Sequence, residues 1–564
     1  TKQLYLPDTA VLVTRFMTPD GVGEVIDFMP VHDAGRSSDR HRLVRLVRCV
    51  RGSMRFAFEC APRFDYGRAP HKLELLPEGA IFHSDSLQLT LHGSGHGAMR
   101  QDGDDVRAAI TVEAGQVGGV MLEAAADGPP RTVAPEEFRG MLEETEHFWH
   151  EWLGRSTYRG RWREMVNRSA ITLKLMTYAP SGALVAAPTA GLPEQVGGER
   201  NWDYRFTWIR DASFSVHALL GLGYTDEASA FMRWVGDRAA EQAGDGSGPL
   251  KIMYRIDGSS DLDEQVLDHL EGYAGSSPVR IGNGAADQLQ LDIYGEMLDS
   301  IWLADQHGIR VGHAGWTKLC QLTDWLCEHW DQPDEGVWET RGGRQDFTYG
   351  RLMCWVALDR MTRMAREHGR PGDLARWTTE RDRVYQQIVE RGWNAQRGAF
   401  TQHYSTDVLD ASVLMMPLVG FVAPADPMWL STLDAVDQEL VSDSLVYRYN
   451  PSASPDGLLG HEGTFSICTF WYVDALARSG RLREARMVLE KMFTYANHVG
   501  LYAEEVGLTG EQLGNFPQAF THLSLINAAL NLDHQLDHGG GRVPVQRTGV
   551  GARIGEHARG GGAG

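Results

Sequence analysis

Two glutamates, Glu339 and Glu504, are the residues whose surroundings suggest paired carboxyl chemistry. Glu339 lies in Val337-Trp338-Glu339-Thr340-Arg341-Gly342, and Glu504 heads a twin pair in Tyr502-Ala503-Glu504-Glu505. A carboxyl kept protonated by an apolar neighbour donates a proton, and an ionised one draws a proton from water. The Trp338 ring is expected to desolvate Glu339 and keep it protonated. Such a pair cuts a glycosidic bond; if water attacks directly, the two carboxyls stand about 6.5–9.5 Å apart. Neither glutamate is persuasive alone. Twin glutamates are usually solvated surface charge, and 16 tryptophans make Trp-Glu neighbours common by chance.

Other segments share this density of aromatic, charged and amide residues. They are Asn201-Trp202-Asp203-Tyr204-Arg205-Phe206-Thr207-Trp208-Ile209-Arg210-Asp211, Met253-Tyr254, His269-Leu270-Glu271-Gly272-Tyr273 and Val446-Tyr447-Arg448-Tyr449-Asn450. Trp and Tyr faces stack on the apolar faces of sugar rings, while Arg, Asp and Asn reach ring hydroxyls. Blander readings compete. Asp203 and Asp211 flank a helix start that favours acidic residues, and Arg210-Asp211 reads equally as a structural ion pair. His522 reads as a satisfied core histidine. His269 and Glu271 lack a third partner at metal spacing, so no metal site is expected.

Elements that place these segments follow from hydrophobic period. Alternation at Val11–Phe16, Glu24–Phe28, Leu43–Cys49, Met54–Phe58, Leu87–Leu91 and Ala109–Val112 predicts an N-terminal antiparallel β-sandwich over residues 1–133, with a turn at Arg51-Gly52. Phe138, Leu142, Phe148, Trp149 and Trp152 predict a linker helix over 134–160. From 161 to 535 twelve helical stretches follow with almost no strand signal, near 161–178, 205–222, 225–242, 285–307, 313–330, 346–368, 372–392, 407–419, 428–441, 463–479, 481–498 and 516–532. Tight glycine-bearing junctions after alternate helices, such as Gly221-Leu222-Gly223 and Ser479-Gly480, predict an all-α (α/α)6 barrel, a toroid of six hairpins. Residues 536–564 read as a flexible tail rich in Gly and Arg. All the segments named above lie at or before the even-numbered helices, and so at one end of the ring.

Bulk properties narrow the partners. A formal net charge of -21 disfavours nucleic acid and anionic membrane surfaces. Six scattered cysteines, with no CxxC pair, predict reduced thiols in a cytoplasmic protein. The expected partner is a small-molecule sugar, and a homo-oligomer is left open. The chain starts at Thr1, which leaves an upstream segment open as well.

The same segments resemble glycoside hydrolase family 15, which contains glucoamylases, glucodextranases and bacterial α,α-trehalases. Asn201-Trp202-Asp203-Tyr204-Arg205 through Trp208-Ile209-Arg210-Asp211-Ala212 looks like the family signature. Ile252-Met253-Tyr254, His269–Tyr273, Pro278–Asn283 and Gln288-Leu289-Gln290 fit its bacterial branch. The resemblance implies the sandwich, the barrel and inversion at the anomeric carbon. It puts Glu339 in the general-acid position and Glu504, rather than Glu505, in the general-base position. Arg210 and Asp211 match the pair that grips the non-reducing glucose, Arg448 another sugar-binding arginine, and Trp208 and Trp338 aromatic walls. Trp202, Asp203 and Glu505 complete the expected substrate-binding set. Thr340 stands where fungal glucoamylases carry a second glutamate, and the Gly-Ser-Ile-Asp-Trp stretch of bacterial relatives is absent. Leu192–Trp202 and Gly510–Phe520 look most like actinobacterial trehalases, so the expectation is hydrolysis of α,α-trehalose to two glucoses. The alternatives are a glucoamylase or isomalto-oligosaccharide hydrolase, and a non-catalytic sugar-binding toroid. No cofactor is evident in the residues; phosphate and Mg2+ dependence enters by family analogy alone.

Overall fold

A computed structural model describes residues 1–31, 41–124, 128–188, 191–245, 250–454, 456–458 and 460–538, with the side chains of 212, 213 and 242–245 outside the description. The expected tail, 536–564, falls almost wholly outside the described residues. Two compact units divide between Ser156 and Thr157.

The first unit holds β1 (Lys2–Tyr5), β2 (Leu12–Met17), β3 (Gly21–Phe28), β4 (His41–Cys60), β5 (Lys72–Leu76), β6 (Gly79–His83), β7 (Gln88–Gly93), β8 (Arg100–Asp102), β9 (Asp105–Glu113) and β10 (Val117–Ala124). They run in the order β1-β2-β3-β4-β10-β7-β6-β5, with β9 and β8 branching from β4. β4 joins the layers: its first half pairs antiparallel with β3 and β10, and Ser53–Cys60 pairs with β9. The turn expected at Arg51-Gly52 is therefore a bend inside one long strand. Gly52, at φ 71°, is required there, because a Cβ would stand 1.9 Å from the Asp20 carbonyl oxygen. Strand alternation sends Val44 and Leu46 into one core with Ile26 and Phe28, and Val47 and Cys49 into a second with Phe82 and Ile110. Helix α1 (Pro135–Gly154) buries Phe138, Met141 and Leu142 in the first of these cores. It belongs to this unit, where a linker was expected.

The second unit contains α2 (Arg163–Met176), α3 (Asp211–Leu222), α4 (Thr225–Asp245), α5 (Asp292–Gln306), α6 (His313–His329), α7 (Thr348–His368), α8 (Leu374–Gln387), α9 (Pro427–Glu439), α10 (Ser466–Arg478), α11 (Leu482–Met492) and α12 (Ala519–Asp537). A 3-10 segment, Ala411–Met415, replaces the helix expected at 407–419. α3, α5, α7, that segment, α10 and α12 pack in a closed circuit, each against the next. The remaining helices of the unit form the outer layer of an (α/α)6 barrel. Burial separates the layers: α5, α7 and α10 are buried nearly all round, whereas α11 buries only the stripe Ala485, Val488, Leu489 and Met492. Gly223 closes α3 in the left-handed conformation, at φ 91°, which lets the chain reverse into α4 two residues later.

Inner helices start later than their hydrophobic period predicts. The stretch expected as helix from 205 begins at Asp211, and the one expected from 285 begins at Asp292. Before α3 lies the short strand Thr207–Trp208, and before α5 the 3-10 turn Gly284–Asp287; Trp208 and Ala285 in them line a cavity at that end of the ring.

Candidate active site

Two-residue ladders, too short to show an alternating pattern, hold the connections at the N-terminal ends of the inner helices. Thr207–Trp208 pairs antiparallel with Met253–Tyr254. Thr464–Phe465, Glu505–Val506 and Gln512–Leu513 form a second, three-stranded ladder. Between them lies a pocket of about 880 Å3, counting its solvent-open mouth. Trp202, Trp208, Arg210, Asp211, Trp338, Glu339, Arg448 and Glu504 all line it. Residues 300 apart in sequence thus share one cavity.

Glu339 sits at φ 56°, a left-handed conformation that costs a non-glycine residue about 1–3 kcal/mol. Its N–H donates to the Gly336 carbonyl at 3.1 Å, and the Thr340 N–H donates to the Glu335 carbonyl at 3.3 Å, so a tight turn holds it. The Glu339 carboxylate accepts from Trp208 Nε1 at 2.7 Å and from the Arg210 guanidinium at 2.9 Å. The desolvating partner expected from sequence is different in the structure. The Trp338 indole N–H is directed to Asp410, at 3.0 and 2.9 Å from its two oxygens, so Trp208 and Arg210 are the side chains bonded to Glu339.

Glu504 is 3% exposed. Tyr204 Oη donates to its Oε1 at 3.0 Å, Gln518 Nε2 to the same oxygen at 3.1 Å, and the Asn515 backbone N–H to Oε2 at 3.3 Å. Burial pushes its pKa up to about 7, and the Tyr204 hydroxyl, the Asn515 N–H and the Arg448 charge keep it from rising further. The Tyr204 and Trp208 rings meet edge to face with centroids 5.2 Å apart. Two adjacent rings therefore carry the hydrogen bonds to the two carboxyls, one each.

Arg210 also donates to Gln290 Oε1 at 2.8 Å and lies 3.8 Å from Asp292. Burial alone would lower its pKa, but the charges of Glu339, Asp292 and Asp211 raise it, so it stays a cation. Asp211, in the first turn of α3, is pushed up to about 7 by burial and by the Glu339 charge, against Arg210. The Arg448 guanidinium is paired with Glu462 and lies near the rings of Phe465, Tyr449 and Trp338, at 4.7, 5.0 and 5.6 Å. Trp202 has the guanidiniums of Arg341 and Arg280 near its ring, at 4.5 and 4.9 Å.

Two expected substrate contacts are not pocket residues. Asp203 is buried against Arg205, accepting at 2.6 and 2.8 Å, and takes the Gly282 N–H at 3.2 Å. Glu505 opens the two-residue strand Glu505–Val506, and Glu504 lies at a bend just before it. Its Oε2 accepts from the Gly463 N–H at 2.7 Å, away from the lining. Tyr204 and Gln518, the side-chain ligands of Glu504, were not expected from sequence, although both lie inside segments that carry the family resemblance. Leu270, Glu271, Gly272 and Tyr273 line a neighbouring depression beside Trp202 and Arg280. His522 is a core histidine: its ring accepts from the Tyr502 N–H at 3.3 Å and meets Ser169 Oγ at 2.9 Å. Among the described residues no three His, Cys, Asp or Glu side chains gather as metal ligands do. No helix among them is long and apolar enough to cross a membrane.

Tyr204→Phe is expected to move the acid limb of kcat/KM to higher pH. The hydroxyl stabilises ionised Glu504, so its removal raises that pKa above about 7. A limb that stays in place would refute Glu504 as the group that sets it.

Comparisons with known proteins identify the family. The chain is 38% identical to a protein named Trehalase from Mycolicibacterium smegmatis, over 96% of this chain and 84% of that one. It is 35% identical to a Trehalase from Thermoplasma volcanium, over 95% of this chain and 84% of the relative. A solved bacterial glucoamylase bound to acarbose superposes with a TM-score of 0.73 at 14% identity, covering 94% of this chain and 85% of the other, which shows the shared fold. A family model described as Trehalase-like, N-terminal matches residues 1–146. A second, Glycosyl hydrolases family 15, matches residues 160–530, and the chain belongs to that family.

Proposed function

We propose that this chain hydrolyses α,α-trehalose to two glucoses with inversion, Glu339 acting as general acid and Glu504 as general base. The observation that carries the reading is a pocket in which both glutamates meet, in a chain 38% identical over nearly its whole length to a trehalase. Arg210, Asp211, Arg448, Trp202, Trp208 and Trp338 line the same cavity and supply hydroxyl ligands and aromatic walls. Glu339 protonates the glycosidic oxygen. Glu504, ionised, takes a proton from the water that attacks the anomeric carbon, and the hydrogen bonds from Tyr204, Gln518 and Asn515 fix its orientation. No step runs through magnesium or phosphate. The six cysteines are free thiols, which supports a cytoplasmic setting.

The rival glucoamylase reading has less support. Thr340, where fungal glucoamylases carry a second glutamate, directs its hydroxyl to the Glu335 carbonyl at 3.1 Å and offers no carboxylate to a second sugar. Incubation with trehalose, maltose and isomaltose, reading released glucose, is expected to favour trehalose; no glucose from trehalose overturns the substrate assignment. Proton NMR at early times is expected to show one β- and one α-glucose appearing together. Two α-glucoses would mean retention and refute direct attack by water.

A further inference from the structure

Beside Glu504 the pocket carries a carboxyl that the proposed mechanism does not use. Glu194 lines the cavity and is 4% exposed. Its expected counter-ion is occupied elsewhere: the Arg200 guanidinium donates to Asp456 at 2.9 and 3.1 Å and is also paired with Glu462. Arg200 comes only to 3.8 Å from Glu194 Oε2, and that buried oxygen has no hydrogen-bond partner. Arg448, the other nearby cation, is paired with Glu462. Glu194, Asp456, Glu462 and Glu504 thus face two arginines, Arg200 and Arg448, so the cluster holds more carboxyls than cations. Of the three carboxyls paired with Arg200, Glu194 has the longest contact, 3.8 Å against 2.9 Å for Asp456. Burial raises its pKa well above the ordinary carboxyl range, and the Glu504 and Glu462 charges add to the effect.

We propose that Glu194 is a third substrate-contacting carboxyl, which in its neutral form donates a hydrogen bond from its O–H to a hydroxyl of the bound sugar. The inference rests on the reading of this pocket as the sugar site. A neutral carboxyl has a donor that needs an acceptor, and a sugar hydroxyl in the cavity that Glu194 lines is one. An ionised Glu194 would repel the ionised base beside it. The contact favours an uncharged, hydroxyl-rich substrate and disfavours a sugar acid, whose carboxylate would meet this acidic cluster.

The test compares Glu194→Leu, which is close in size and cannot hydrogen-bond, with Glu194→Gln, which keeps one donor and one acceptor. Glu194→Leu is expected to lose about 30-fold or more in kcat/KM for trehalose, mostly through KM, and Glu194→Gln less than about tenfold. Infrared difference spectra of wild type minus Glu194→Gln near neutral pH are expected to show a protonated-carboxyl C=O band that shifts when glucose is added. This measurement stands even where the leucine variant does not fold. Wild-type kinetics in Glu194→Leu, equal losses in both variants, or no such band would each overturn the inference. Intact turnover in Glu339→Gln and Glu504→Gln would instead refute the site reading, so the two failures are distinguishable.

Discussion

Glu339→Gln is expected to lower kcat on trehalose by about 10²–10⁴-fold while sparing hydrolysis of α-glucosyl fluoride. Fluoride leaves without a proton, so a substrate carrying it bypasses a missing general acid but still needs a general base. Trehalose has a sugar alkoxide as leaving group and depends on protonation. The substitution keeps the size of the side chain and its carbonyl oxygen, so Trp208 and Arg210 retain an acceptor. Equal loss on both substrates would remove the acid role. Preserved turnover of trehalose would remove Glu339 from the chemistry altogether.

Glu504→Gln is expected to lower kcat on both substrates by a comparable factor of about 10²–10⁴, because neither reacts without an activated water. In wild type the acid limb of kcat/KM is expected near pH 7. Below that value the base becomes protonated and activity falls. If Glu504→Gln spared the fluoride and Glu339→Gln did not, the two roles would be exchanged. That comparison is informative because both carboxyls accept hydrogen bonds from the pocket, so their partners alone do not separate acid from base.

The sequence by itself determined the order of elements and the neighbourhood of the site. Apolar residues alternate in the first unit and recur at helical spacing in the second, and the period of burial is a local property that a linear reading recovers. The unusual segments fall before alternate helices, which was enough to place Glu339, Arg210, Arg448 and Glu504 at one end of a ring.

Only the tertiary structure decided what each side chain touches there. Trp338 and Glu339 are neighbours in sequence, yet a left-handed residue in the turn leaves one bonded to Asp410 and the other to Trp208 and Arg210. Glu504 and Glu505 are chemically identical in sequence, and the bend before the strand Glu505–Val506 leaves one in the pocket and the other against the Gly463 N–H. The two-residue ladders carry no periodic signal, because pairing between distant loops, and not local propensity, creates them. Tyr204 became a ligand of Glu504 by closing a gap of 300 residues. The pair of glutamates was legible in the chain; their partners depend on contacts between segments far apart along it, which no local pattern encodes.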